Sequence, residues 1–276
     1  MFRNRVVQDV CDVVEQGQQY CVRHVDWQDS VRLDEYQKLR ADIFVRQFGW
    51  SIPIDSQGRE RDRYDQSGDP TISIHAVYGV CYPHSEHFLG GGRIFQLRTW
   101  NDSMVMNEFY DAGMIPNHVL RLLENHYDCH DILEFSRVCV RRGRRYIPFD
   151  QFDSGFTGFD LSVVRDLTYA SVLSMAEKTG RRSLLAVVNT LYLHVAKRSH
   201  FVYREIYSRQ LETRQGYAVI VIDLAETIHA IRAAGNSAMA DRMLALCTNK
   251  DWVNGEARRD MQLFSDTFPV RDSIGI

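Results

Sequence analysis

Extended runs crowd the first half of this chain, and helical runs alternate with them in the second. That order constrains the fold more than any other feature. Consecutive strands close as hairpins, whereas strand–helix–strand units need crossovers that lay helices on a sheet. The segments 20–25, 71–81, 88–97 and 131–140 carry the β-branched and aromatic residues of strands, and 82–86 (YPHSE) turns a hairpin between the second and third. Helical spacing is expected over 32–47, 116–127, 161–178 (closed by Gly180) and 191–199, with buried strands at 183–188 and 216–224. Residues 2–16 read as a short amphipathic helix, with Val6, Val7, Val10, Val13 and Val14 on one side. The expectation is an α/β sandwich around one mixed sheet over 20–224. A helical extension (1–19) precedes it, and a helical extension and tail (225–276) follow.

Several function classes are set aside by what the chain lacks. A net charge of −3 gives no broad electrostatic reason to bind nucleic acid. No apolar run approaches membrane-spanning length, and the N-terminus has acids and amides where a signal peptide needs an apolar core; a cytoplasmic protein without membrane insertion is expected. Cys11, Cys21, Cys81, Cys129, Cys139 and Cys247 show no CxxC or Cys/His clustering, and the histidines include no HxH or HExxH, so neither a metal nor a disulfide framework is expected. A GxSxG elbow is absent, and Cys139 has no nearby histidine in sequence to activate it. Gly90-Gly91-Gly92 lacks the residues of a phosphate loop; glycines inside a strand instead mark a bulge or the close approach of another backbone.

The charged residues in apolar settings are more informative. Arg40 and Phe44 lie four apart on one helix face, and Trp50 follows the Gly49 breaker, so the three could cup a cationic or heteroaromatic ligand. Leu39, Ile43, Phe44 and Phe48 at the same spacing also read as plain core. Asp62 and Asp65 lie three apart in a polar loop, and Arg93 follows the three glycines. Glu134 and Arg137 interrupt an apolar strand, where an offset of three puts side chains on opposite faces unless a bulge re-aims one. Buried charges are costly without partners. Two readings therefore stand: an ion-pair cluster pinning the loop 51–70 to the sheet, and a carboxylate in apolar surroundings serving as a general base. Arg141, Arg142, Arg144 and Arg145 leave that strand as a basic run, either a solvated loop or a docking patch for an acidic partner.

In that order and spacing, Arg40, Phe44, Trp50, Asp62, Asp65, Arg93, Glu134 and Arg137, with Ser136 inside the last motif, resemble the signature of the acyl-homoserine lactone synthase (LuxI-type) family. The resemblance covers roughly 20–224. The interval from Arg93 to Glu134 and the loop 143–160 look longer than is usual in the family. It implies a GNAT-like three-layer sandwich, a mixed central β-sheet with helices on both faces. It also implies a cytoplasmic acyltransferase that needs no cofactor or metal. A fatty acyl thioester, on acyl carrier protein or coenzyme A, would donate to the amine of S-adenosylmethionine, which then lactonises and releases methylthioadenosine. Glu134 and Arg137 would be catalytic. Arg40, Phe44, Trp50, Asp62, Asp65 and Arg93 would shape the S-adenosylmethionine site, and Arg141, Arg142, Arg144 and Arg145 would dock the carrier. The acyl pocket would involve Ala186, Val187, Val188, Phe149 and Phe152, with Phe156 close by. Ala186 stands where 3-oxo-acyl producers often carry Thr, a lean toward unsubstituted chains. The competing readings are an N-acyl amino acid synthase, which forms no lactone, and a non-catalytic carrier-binding module.

Overall fold

The computed structural model describes residues 9–15, 18–66, 68–81, 85–141, 160–210, 216–236 and 239–241. They divide into two compact units. One holds the described residues up to Phe95 and those from Arg137 to Ser171; the other holds Gln96–Ser136 and the described part of Val172–Asn249.

The first unit is built on antiparallel strands β1 (Asp9–Glu15), β2 (Gln18–Val25), β3 (Ile72–Cys81) and β4 (Ser85–Gln96), paired in that order. The expected N-terminal helix is corrected here: residues 9–15 form a strand, Asp9 opposite Arg23 and Glu15 opposite Gln18. Val10, Val13 and Val14 are stiff at χ1 and suit a pleated surface next to a partner strand better than a short isolated helix. Between β2 and β3 runs α1 (Ser30–Arg40), whose first turn is capped by the Asp29 carboxylate accepting from the Arg32 amide at 3.1 Å. A cap of this kind contributes about 0.5–2 kcal/mol. The helix does not stop at Arg40 but widens into a π-helix, Ala41–Gln47, before Gly49 turns the chain at φ +68°. Tyr36, Leu39, Ile43 and Phe44 bury against Cys21, Val25, Ile74, Ala76, Tyr78, Phe88 and Cys139. Each fully buried aliphatic or aromatic side chain there is worth roughly 1.5–3 kcal/mol.

The glycine run in β4 behaves as expected from close approach. A Cβ on Gly90 would meet the Cys139 carbonyl at 2.9 Å, and one on Gly91 the His75 carbonyl at 2.5 Å. Backbone contact that tight excludes any side chain.

In the second unit the order is β5, β6, β8, β7, where β5 is Ile132–Val140 (its residues from Arg137 on counted with the first unit), β6 Ser183–Asn189, β7 Tyr203–Gln210 and β8 Gly216–Asp223. Ile132–Glu134 run parallel to Ser183–Leu185, and β8 is antiparallel to both β6 and β7, so the pairing is mixed. The helices are α2 (Asn117–His126), α3 (Leu161–Thr179, shared with the first unit and ending before Gly180 at φ +69°), α4 (Thr190–Arg198) and α5 (Leu224–Ala233). The polar, half-exposed β7 escapes sequence reading because an edge strand carries little apolar alternation. No helix among the described residues is long and apolar enough to cross a membrane.

Candidate functional site

Three arginines and three carboxylates meet in the first unit. Arg40, at the end of α1, has no solvent exposure. Its Nη1 and Nη2 donate to Asp65 at 2.7 and 2.9 Å, its Nε donates to Glu60, and Nη2 also reaches the Glu60 carbonyl at 2.8 Å. Arg93 on β4, equally buried, clamps Asp62 with two hydrogen bonds of 2.6 and 2.7 Å and reaches Asp65 at 3.1 Å. Arg137 on β5 approaches Glu60 at 3.3 Å and Asp62 at 3.4 Å. Gln37 adds a hydrogen bond to Asp65 at 3.2 Å. The Tyr36 ring lies 4.9 Å from the Arg40 guanidinium carbon, and the Tyr64 ring 5.1 Å from that of Arg93. Three cations facing three anions leave no net charge to solvate, which is what permits such depth.

The electrostatics follow the geometry. Burial pushes the Asp62 carboxyl upward, but the guanidinium of Arg93, with Arg40 and Arg137, outweighs it and holds Asp62 below the usual carboxylate range. Burial likewise works against the charge on Arg40, and Asp65 and Glu60 more than restore it. The Cys139 thiol is pushed up to about 12, chiefly by burial, so it stays protonated and does not serve as a nucleophile at neutral pH.

This cluster corrects the expected cup. Arg40 turns into the carboxylates, whereas Phe44 stacks on Trp50 with ring centroids 5.2 Å apart and planes 10° from parallel. Phe48 packs against Trp50 from another side at 6.0 Å. The loop 51–66 is held by the ion pairs, as the first of the two sequence readings has it. Glu60 and Tyr36 were not singled out from the sequence. Glu60 could have been suspected from acids at 60, 62 and 65 beside three arginines at 59, 61 and 63, but nothing in the pattern separates a buried acid from its exposed neighbours.

Arg137 is the second notable feature of β5. Its φ is +53°, a conformation that costs a non-glycine residue about 1–2 kcal/mol. The Tyr36 hydroxyl donates to its carbonyl at 3.0 Å. The positive φ takes the backbone at Arg137 out of the extended range, so regular strand alternation does not run through it.

Glu134 belongs to the second unit and is wholly buried. The Ser103 hydroxyl donates to one carboxylate oxygen at 2.5 Å, and the Val105 amide donates to the other at 3.1 Å. Ser103 in turn accepts from the Met106 amide at 3.2 Å. These donors open a short π-helix, Val105–Tyr110. Ser103 is a second residue the sequence reading passed over, since its role depends on a contact 31 positions away.

The remaining expected residues are placed as follows. Ala186 is buried on β6 opposite Ile220, and Val187 and Val188 are half-buried opposite Val219 and Ala218. Arg141 donates from Nε to the Phe88 carbonyl at 2.8 Å, so part of its guanidinium serves the fold. Phe149, Phe152, Phe156, Arg142, Arg144 and Arg145 lie outside the described residues. A groove of about 280 Å³ between α4 and β7, lined by Leu191, His194, Glu205 and Gln210 among others, contains none of the expected residues. Asp128, Cys129 and His130 bring potential metal ligands together on one turn. The Asp128 carboxylate already caps the His130 amide at 2.9 Å, and the Cys129 thiol turns to the Arg98 carbonyl.

No family model matches the chain, and no curated protein matches it in sequence. Solved structures do match it in fold, and the class they define is the GNAT-like α/β fold of acyl-homoserine lactone synthases. One is the acyl-homoserine lactone synthase LasI, with TM-score 0.53, 18% identity, and 79% of this chain aligned to 96% of that one. A second is BjaI, a coenzyme A-dependent acyl-homoserine lactone synthase with S-adenosylmethionine and isopentyl-coenzyme A, at TM-score 0.51 and 19% identity over 80% of this chain and 87% of that one. A third is FeeM, an N-acyl amino acid synthase from uncultured soil microbes, at TM-score 0.50 and 12% identity over 79% and 98%.

Proposed function

We propose that this chain is an acyl-homoserine lactone synthase. The amine of S-adenosylmethionine attacks the carbonyl carbon of a fatty acyl thioester, the carbon–sulfur bond breaks, the thiol leaves and an amide forms. The carboxylate of the same methionine moiety then displaces methylthioadenosine from its own side chain and closes the lactone. One observation carries this reading. On a fold shared with such synthases, the signature residues Arg40, Asp62, Asp65, Arg93 and Arg137 converge in one buried cluster although they are scattered over nearly a hundred positions.

Roles follow from chemistry. Glu134 is the base that takes the amine proton, its carboxylate positioned by the Ser103 hydroxyl and the Val105 amide. Backbone amides around the positive-φ position of β5 supply donors to the developing oxyanion. Asp62, held ionised and the most exposed carboxylate of the cluster at 11%, suits the cationic sulfonium. Phe44 and Trp50 offer aromatic faces to the adenosine. Ala186, Val187 and Val188 would belong to the acyl site, and Ala186 favours unsubstituted chains. We assign the donor to coenzyme A or acyl carrier protein. BjaI supports the first, and the arginine run 141–145 would serve the second, an acidic partner. The reaction needs no cofactor, and its thioester donors place it in the cytoplasm.

The second reading is an N-acyl amino acid synthase. It is favoured by the likeness to FeeM and by Arg40, whose guanidinium is wholly engaged within the protein. The deciding experiment incubates the protein with S-adenosylmethionine, free amino acids and a panel of acyl-coenzyme A and acyl-carrier thioesters. Methylthioadenosine and an acyl-homoserine lactone should appear together. An open-chain N-acyl amino acid formed without methylthioadenosine would establish the second reading instead.

A further inference from the structure

Arg137 is gripped at both ends by residues outside the signature. The Tyr36 hydroxyl holds its carbonyl at 3.0 Å, and Glu60 meets its Nε at 3.3 Å while also receiving Arg40. Both gripping residues are buried, Tyr36 completely and Glu60 to 1% exposure. Neither contact is incidental to its own element. Tyr36 is anchored in the core of α1 against the Phe88 ring, and Glu60 is tied by a backbone bridge to Ile54 and by its amide to the Gln37 carbonyl. The Glu60 Oε1 atom makes no hydrogen bond among the described residues and meets Arg137 as an ion pair at 3.3 Å. A buried carboxylate oxygen spent that way is costly, so its geometry is imposed by the surrounding scaffold.

A non-glycine residue at positive φ persists only where its surroundings over-determine it. At Arg137 those surroundings include this pair, beside Asp62 at 3.4 Å. We infer that Tyr36 and Glu60 are positioning residues that hold Arg137 and its left-handed backbone in β5. The inference rests on the reading of β5 as the strand of acyl transfer. Tyr36 acts on the backbone and Glu60 on the side chain, so neither touches substrate. The arrangement makes α1 and the loop 51–66 joint supports of one backbone distortion.

Two near-isosteric substitutions in the full chain test it, with S-adenosylmethionine and an acyl-coenzyme A thioester as substrates. Tyr36→Phe and Glu60→Gln should each lower kcat by about tenfold or more, while KM for S-adenosylmethionine changes by less than about threefold. In an Arg137→Gly background positive φ carries no steric penalty, so the further loss from Tyr36→Phe should shrink to less than about twofold. Hydrogen exchange without substrate gives an independent reading: protection at the amides 137–139 should fall by about tenfold in Tyr36→Phe, with β2 and β3 unchanged. Unaltered kcat in a folded Tyr36→Phe protein overturns the inference, as does loss of protection spread evenly over the unit. If the wild-type chain acylates no acceptor at all, the functional reading fails, and the exchange measurement alone decides whether the pair holds the backbone at Arg137.

Discussion

Asp62, Asp65 and Glu60 of the first unit and Glu134 of the second are withdrawn from solvent but differently satisfied. Asp62, Asp65 and Glu60 face guanidinium groups, whereas Glu134 accepts from a serine hydroxyl and a backbone amide. The difference teaches what each can do. A carboxylate locked against two arginines has its proton affinity suppressed and its position fixed, so it serves as framework or as a permanent anion. Glu134 has its position fixed by a serine hydroxyl and a backbone amide. Ion pairing marks framework in the first unit, and Glu134 is the proposed proton acceptor.

That contrast can be broken in three ways. The largest effect is expected at Glu134. Glu134→Gln should reduce acyl transfer by about 10²–10⁴-fold, the usual worth of a general base, while near-ultraviolet circular dichroism stays native. A rate within a few-fold of wild type would remove Glu134 from the chemistry. Next comes Arg40→Leu, which takes one of two arginine partners from each of the buried Asp65 and Glu60. Urea unfolding should show a loss of about 3–5 kcal/mol. A loss under about 1 kcal/mol would mean that water or neighbours replace the guanidinium readily.

The smallest effect concerns acid. Asp62 has a lower proton affinity in the folded chain than when unfolded, so the folded state binds fewer protons around pH 4. The stability this adds is present above the unfolded value of about 3.9 and is lost as the pH falls through the lower folded value. Asp62→Asn should therefore cost about 2 kcal/mol at pH 7 and make the fall in melting temperature below about pH 4 shallower than in wild type. An acid profile identical to wild type would show that Asp62 is not what acid titrates.

Much of this was legible beforehand because period and punctuation are local signals. Gly180 ending α3, the strand 131–140 and the hairpin around 82–86 are set by residues near one another in sequence. The signature residues were legible as a set for another reason: charge in an apolar strand demands an explanation. What escaped depends on contacts at a distance. Ser103 acquires meaning only against Glu134, and Glu60 only against Arg40 and Arg137. The N-terminal segment fits a helix and a strand alike, and pairing with β2 selects the strand. The expected grouping of Arg40 with Phe44 assumed regular helical phase, which the chain abandons just after Arg40.

That change of phase has a consequence for the chain's tolerance of length. Along Ala41–Gln47 each turn takes up more residues than in an α-helix, and Phe48 donates to the carbonyl five residues back. Deleting one residue there would let ordinary helical bonding resume, which is locally favourable. It would also rotate everything downstream by about 100° about the axis, the angle one residue subtends. Trp50 would swing off the face of Phe44, and the loop that begins at 51 would start from a new bearing. The segment therefore works as a vernier: its length in residues sets the direction in which the acid-bearing loop leaves the helix.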